Sequence, residues 1–176
     1  FKTKVISSYY SKRKIMSTKV GLIIPYDYKL LSVAAILEVF ETANKLSKEI
    51  EKPFEIMVFQ SADQIIEKEL FGYYVQSIDS NKNLDLILIP AFTTDNMSEM
   101  IARNKKFIPW LQEQHQSGSE LASFCTGAFL FAASGLLNEK LATTHVDACS
   151  AFTKAFPLVK LKSEETLTAD GSLYTS

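Results

Sequence analysis

ELASFCTGAFLFAASGLL, residues 120–137, is the stretch whose reading decides the fold. Residues 121–124 form a short apolar run of the length a buried strand needs. From Gly127 the alanine- and phenylalanine-rich continuation reads as a helix. Cys125 stands at the join, with Ser123 two residues before it and Gly127 two after. Small residues at those places suit a sharp strand-to-helix turn, because a larger side chain beside the nucleophile would strike neighbouring backbone. Such a turn sets the sulfur at a helix N-terminus, where unpaired N–H groups and the helix dipole favour a thiolate. The alternative reading is a structural thiol packed in an apolar α/β core, a common place for free cysteine.

The rest of the chain supplies the partners such a turn needs. Residues 19–24 read as a strand stopped by Pro25, and residues 30–48 as an amphipathic helix with Leu30, Leu31, Ala34, Leu37 and Leu46 among its apolar positions. Residues 54–59 follow Pro53 as a second strand, and 71–78 alternate weakly, as an antiparallel excursion would. Residues 84–89, LDLILI, are a near-continuous apolar run closed by Pro90, as expected of a parallel strand buried on both faces. Residues 98–116 read as one helix with Trp110 and Leu111 toward the sheet. A short strand, 141–144, delivers His145; a helix over 147–156 ends at Pro157. In the tail, Asp170-Gly171 signals a hairpin between 167–169 and 173–175. Strands alternating with helices predict a three-layer α/β/α sandwich around a doubly wound, mostly parallel sheet, and ligands of such sheets lie beyond the strands' carboxyl ends. Residues 25–29, 90–94, Cys125 and His145 are expected to converge there, giving a candidate pocket of Asp27, Ser32, Ala91, Phe92, Cys125, Thr126, Gly127 and His145.

Composition limits the function classes. The chain has 176 residues, room for one ordinary α/β domain. With 47% apolar and 22% charged residues it has the balance of a globular protein, and a net charge of −1 is not the footprint of a nucleic-acid-binding surface. Two cysteines, Cys125 and Cys149, make neither a disulfide framework nor metal-ligand spacing, so no metal or organic cofactor is implied and a reducing cytoplasm is expected. No apolar run reaches the length of a membrane span. Residues 1–15 are basic and rich in Ser and Tyr, and lack the apolar core of a signal peptide. They are expected to be an N-terminal extension or leader, with the domain starting at Met16.

Three motifs in order carry a resemblance. Ser123, Cys125, Thr126, Gly127, Ala128 and Phe129 are followed by Ser134, Gly135, Leu136 and Leu137, and then by Ala142, Thr143, Thr144 and His145. Residues 30–44, LLSVAAILEVFETAN, precede them. Residues 16–176 resemble the ThiJ/PfpI superfamily, a glutamine-amidotransferase-like, flavodoxin-like fold, and within it the branch fused to AraC-type DNA-binding domains. The resemblance implies a sensor domain cut short before its last helix and a C-terminal helix-turn-helix domain. It further implies an unidentified small-molecule ligand, DNA contact only through that further domain, no membrane partner, and a homodimer. Two departures bear on activity. Thr126 stands where enzymes of the superfamily often carry histidine, and Ser32 follows Leu31 where isocyanide-hydrating relatives carry aspartate.

A cysteine nucleophile needs a base or a field that keeps it ionised, and donors for the developing oxyanion. The helix could give Cys125 its field, the Thr126 N–H could be a donor, and His145 is the candidate base if the site is active. Asp147 is too close in sequence to His145 for an easy pairing. His145 has a second reading as a residue capping the following helix, His115 is expected at a solvated helix end, and Cys149 is expected to serve packing. The functional readings are a ligand-sensing regulator domain, a cysteine-dependent hydrolase or hydratase, and a redox sensor based on Cys125 oxidation.

Overall fold

The computed structural model describes residues 17–48, 52–64, 68–80, 82–93 and 95–176. The leader expected over residues 1–15 and the start at Met16 lie outside them.

Strands β1 (Thr18–Ile23), β2 (Phe54–Gln60), β5 (Leu86–Ile89) and β6 (Glu120–Ser123) form where the apolar runs predict them. They join β3 (Glu69–Leu70), β4 (Tyr73–Ser77), β9 (Thr168–Asp170) and β10 (Leu173–Thr175) in one eight-stranded sheet of order β3-β4-β2-β1-β5-β6-β10-β9. Every pairing from β4 to β10 is parallel; the edge strands β3 and β9 are antiparallel. The inner order 2-1-5-6-10 is the doubly wound, flavodoxin-like pattern. Helix α1 (Leu30–Leu46) packs on one face, over Val20, Leu22, Val58 and Leu88. The opposite face carries residues of α2 (Met97–Arg103), α3 (Phe107–Gln116), α4 (Gly127–Ala133) and α5 (Cys149–Ala155) over Ile23, Phe59, Ile87, Ile89 and Leu121. This is the three-layer sandwich that the alternation of elements predicts.

Four local expectations change. The antiparallel excursion over 71–78 is the β3–β4 hairpin, turned at Phe71 and Gly72, both at positive φ; β4 itself then joins β2 in parallel. The single helix over 98–116 is broken at Asn104. The Asn104 side chain is buried, accepting from Tyr26 N–H (2.8 Å) and donating to Met100 C=O (2.9 Å), and Pro109 falls in the first turn of α3, where its missing N–H does no harm. The strand over 141–144 shrinks to β7 (Leu141–Ala142), which leaves the main sheet to pair with β8 (Lys160–Leu161). The helix over 147–156 opens as a 3-10 turn, Val146–Ala148, before α5. Trp110 and Leu111 are buried as expected, while His115 is half-buried with Nδ1 3.3 Å from Ser119 C=O.

Asp170 fastens β7 to the hairpin. Its carboxylate accepts from Leu141 N–H (3.1 Å) and Lys140 Nζ (3.0 Å), and these bonds, the backbone one foremost, hold its pKa below the usual range. A depressed folded pKa gives stability that is present above the unfolded value of about 3.9 and is lost as pH falls through the folded one. Asp170→Asn should therefore lower the melting temperature at neutral pH. Its profile should converge with the native one only as pH falls below the ordinary carboxylate range; curves that stay parallel through acid denaturation would refute the assignment.

Candidate functional site

Residues 123–129 form the turn that the sequence predicts. Strand β6 ends at Ser123, and Cys125 takes φ +56°, the left-handed region that L-residues with a side chain adopt at a cost of roughly 1–2 kcal/mol. Gly127 N–H then bonds Phe124 C=O (2.9 Å) and α4 begins. Position 127 admits no side chain: a Cβ there would lie 2.6 Å from Ile89 C=O and 2.7 Å from Pro90 C=O. The helix thus starts pressed against the end of β5, which requires glycine. The strain at Cys125 is held by three backbone ties. Phe124 N–H reaches Ile89 C=O (3.0 Å), Cys125 N–H bonds Ser176 C=O, and Cys125 C=O accepts the Thr144 hydroxyl (3.1 Å).

If the strain is the turn's own, Cys125→Gly should be more stable than Cys125→Ala by about 1 kcal/mol, since glycine adopts positive φ freely and alanine does not. Equal unfolding midpoints in urea would show that residue 125 is unstrained.

Cys125 and His145 do come together. Both line an open cleft of about 460 Å³ with Phe124, Thr144, Val146 and the 163–166 loop. The cleft lies at the end of β6. The thiol is half-buried, and the imidazole is 42% exposed. No hydrogen bond joins them among the described residues. Instead His145 Nδ1 accepts the Asp147 N–H (3.2 Å) and so caps the 3-10 turn that follows, the structural one of its two expected roles. Asp147 Oδ2 stands 3.8 Å from the same nitrogen and is almost fully solvated. Cys149, at the start of α5, is half-buried with its thiol 3.6 Å from His145 C=O.

The other candidates lie behind the turn. In a doubly wound sheet the crevice is expected where strand order reverses, here between β1 and β5. Bonds between the two loops cross that crevice. Lys29 N–H bonds Ala91 C=O (2.8 Å), Thr93 N–H bonds Asp27 C=O (3.0 Å), and Tyr28 forms a β-bridge with Phe92. Ser32 Oγ accepts Ala91 N–H (3.0 Å); Thr126 Oγ1 accepts Phe92 N–H (3.0 Å) and donates to Phe92 C=O (2.7 Å). Asp27, at φ +55°, is exposed and ion-paired with Arg103, whose guanidinium sits 4.5 Å over the Tyr26 ring. Ala91, Phe92 and Gly127 are buried. Thr94, expected at this edge, lies outside the described residues. Thus Asp27, Ser32, Ala91, Phe92, Thr126 and Gly127 are not among the residues that line this cleft, and Thr126 ties the turn to Phe92.

Sequence reasoning missed the cleft's other wall. Thr143 anchors it twice: its N–H donates to Thr175 Oγ1 (2.6 Å) and its hydroxyl to Glu165 C=O (2.8 Å). Thr144 ties the same segment to Cys125. The pair Thr143-Thr144 was a visible signal, as two adjacent hydroxyls before a histidine offer such anchors. Nothing in the polar run 163–166 distinguishes it from an ordinary solvated loop. Among the described residues no group of three or more His, Cys, Asp or Glu could hold a metal ion, and no helix is long and apolar enough to cross a membrane.

No family model matches the chain, and no curated protein does. Solved structures do. A candidate transcriptional regulator protein from Vibrio parahaemolyticus superposes with a TM-score of 0.76 at 23% identity, over 92% of this chain and 84% of that one. An AraC family transcriptional regulator from Pseudomonas putida gives 0.68 at 16% identity over 90% and 83%. Drosophila melanogaster DJ-1beta gives 0.68 at 16% identity over 92% and 82%. Likeness at such identities is a likeness of fold, and the fold of this chain is that of the ThiJ/PfpI/DJ-1 superfamily.

Proposed function

We propose that this chain is the ligand-sensing domain of an AraC-type transcriptional regulator, holding a small molecule in the cleft beside Cys125. DNA would be contacted only through a separate domain, in the cytoplasm and by paired copies, since such regulators read repeated half-sites. The observation that carries the reading is how the groups a nucleophilic mechanism would use are already employed. Ser32 and Thr126 occupy the Ala91 and Phe92 N–H groups on the neighbouring loop, and His145 Nδ1 caps its own turn. A cleft kept open beside such a turn suits recognition better than turnover. Two of the fold's relatives bear regulator names, which supports the same reading.

A second reading, a cysteine-dependent hydrolase or hydratase or a cysteine redox sensor, is favoured by one observation: the strained φ of Cys125, held in place beside an open cleft.

Val146 forms part of the cleft wall and is 72% exposed, so tryptophan there fills the cleft without entering the core. In a melting screen against small metabolites, a true ligand at 100 times its Kd should stabilise the native chain by about 2.7 kcal/mol. That corresponds to a rise in Tm of roughly 5–10 °C for a domain of this size. Val146→Trp should abolish the rise. A ligand shift that survives Val146→Trp would place the site elsewhere.

A further inference from the structure

The bond that caps the 3-10 turn fixes which nitrogen of His145 carries the proton. Asp147 N–H donates to Nδ1 (3.2 Å), so Nδ1 holds a lone pair and no hydrogen. An imidazole protonated at both nitrogens accepts no hydrogen bond. The capped ring is therefore neutral, with its one N–H at Nε2. Among the described residues Nε2 has no hydrogen-bond partner. The ring lines the cleft beside Cys125. His145 thus offers the cleft a donor, whereas a base for the thiol would need a free lone pair there.

The other groups on the walls set the charge of what that donor meets. Glu164 and Glu165 line the cleft from the 163–166 loop, both exposed, and the Asp147 side chain beside the ring is 88% exposed. Among the described residues that line it there is no Lys or Arg. A carboxylate or phosphate at Nε2–H would face these like charges with no cation to pair with. An ammonium group would suit the carboxylates but has no acceptor for the donor, which would stay unmet. Phe124 and Val146 add apolar wall on which an uncharged aliphatic body packs.

We propose that His145 selects the ligand as a hydrogen-bond donor: Nε2–H binds an uncharged oxygen of a small neutral molecule whose apolar part lies on Phe124 and Val146. The inference rests on the reading of the cleft as a binding site and names the class of molecule it takes.

NMR of the labelled chain at about pH 8, where an ordinary imidazole is neutral, tests it. His115 and His145 are the chain's two histidines, so loss of one ring in His145→Asn assigns the signals. The His145 ring should be the Nε2–H tautomer. An Nδ1–H ring would overturn the inference and leave the cleft free to bind by other means. Three probes of one size are then titrated: butyramide, butyrate and butylammonium. Butyramide should move the His145 Nε2 and Val146 methyl signals, and the two ions should bind about tenfold more weakly, the scale of one hydrogen bond. Asparagine keeps the capping oxygen, so His145→Asn should melt close to native and lose about tenfold in butyramide affinity. Glutamine places an amide N–H near the position of Nε2, so His145→Gln should recover part of that loss. Ions bound as tightly as butyramide, or an asparagine variant that binds it as the native chain does, would overturn the donor role. A cleft that answers none of the three probes would overturn the inference together with the binding site. Butyramide that shifts the ring and is hydrolysed would support the donor role and sink the sensor reading alone.

Discussion

Phe129→Ala should lower the stability of the domain by about 3–5 kcal/mol, the range for removing a fully buried aromatic. Phe129 is 1% exposed in α4, and its ring meets Phe152 edge-on at 5.0 Å and Phe156 at 6.0 Å. Phe152 and Phe156 also pack on each other, at 5.2 Å. The three rings lock the helix that follows Cys125 to the helix that follows His145. The loss should therefore appear at both walls of the cleft. In hydrogen exchange, amides of α5 and of the 146–148 turn should gain more exchange than those of β1 and β2. Uniform loss across the domain would mean that the aromatic cluster contributes only bulk stability.

Gly127→Ala should be the most damaging single methyl group in the chain. Ordinary overpacking costs about 1–3 kcal/mol because side chains shift to make room. Here the obstacles at 2.6 and 2.7 Å are backbone carbonyls at the end of a central strand. The cost should lie at or above the top of that range, with a fall in Tm of roughly 6–12 °C. Relief can come only by moving α4 away from β5. That breaks the Thr126–Phe92 pair of hydrogen bonds and changes the cleft. Thermal melting and alkylation of Cys125 should both respond. An alanine variant with native melting would mean that α4 and the end of β5 are not in close contact at position 127.

Much of the fold was legible because local chemistry and tertiary demand agree. Strands β1 and β5 are apolar runs ended by Pro25 and Pro90, so periodicity and punctuation give the same answer. The turn at Cys125 was legible for a related reason: Ser123 and Gly127 reserve space that only a tight turn uses. The helix break at Asn104 was harder, since the force that bends the chain there is a bond to Tyr26, 78 residues away. Pro109 was nevertheless a readable warning against one continuous helix. The site divided along the same line. Cys125 and His145 were found by residue type. The bonding across the β1–β5 crevice was not, because it rests on main-chain bonds between two distant loops, and main-chain groups carry no residue signature.

The proposed role of the cleft at Cys125 is to bind a small molecule and leave it unchanged. The direct measurement is to incubate the ligand found by melting with native chain and with Cys125→Ser, and to follow both components by NMR. Binding with the ligand recovered intact from both proteins is the predicted result. Conversion of the ligand by the native chain, lost in Cys125→Ser, would contradict the account and make the bracing hydroxyls of Ser32 and Thr126 parts of a working enzyme.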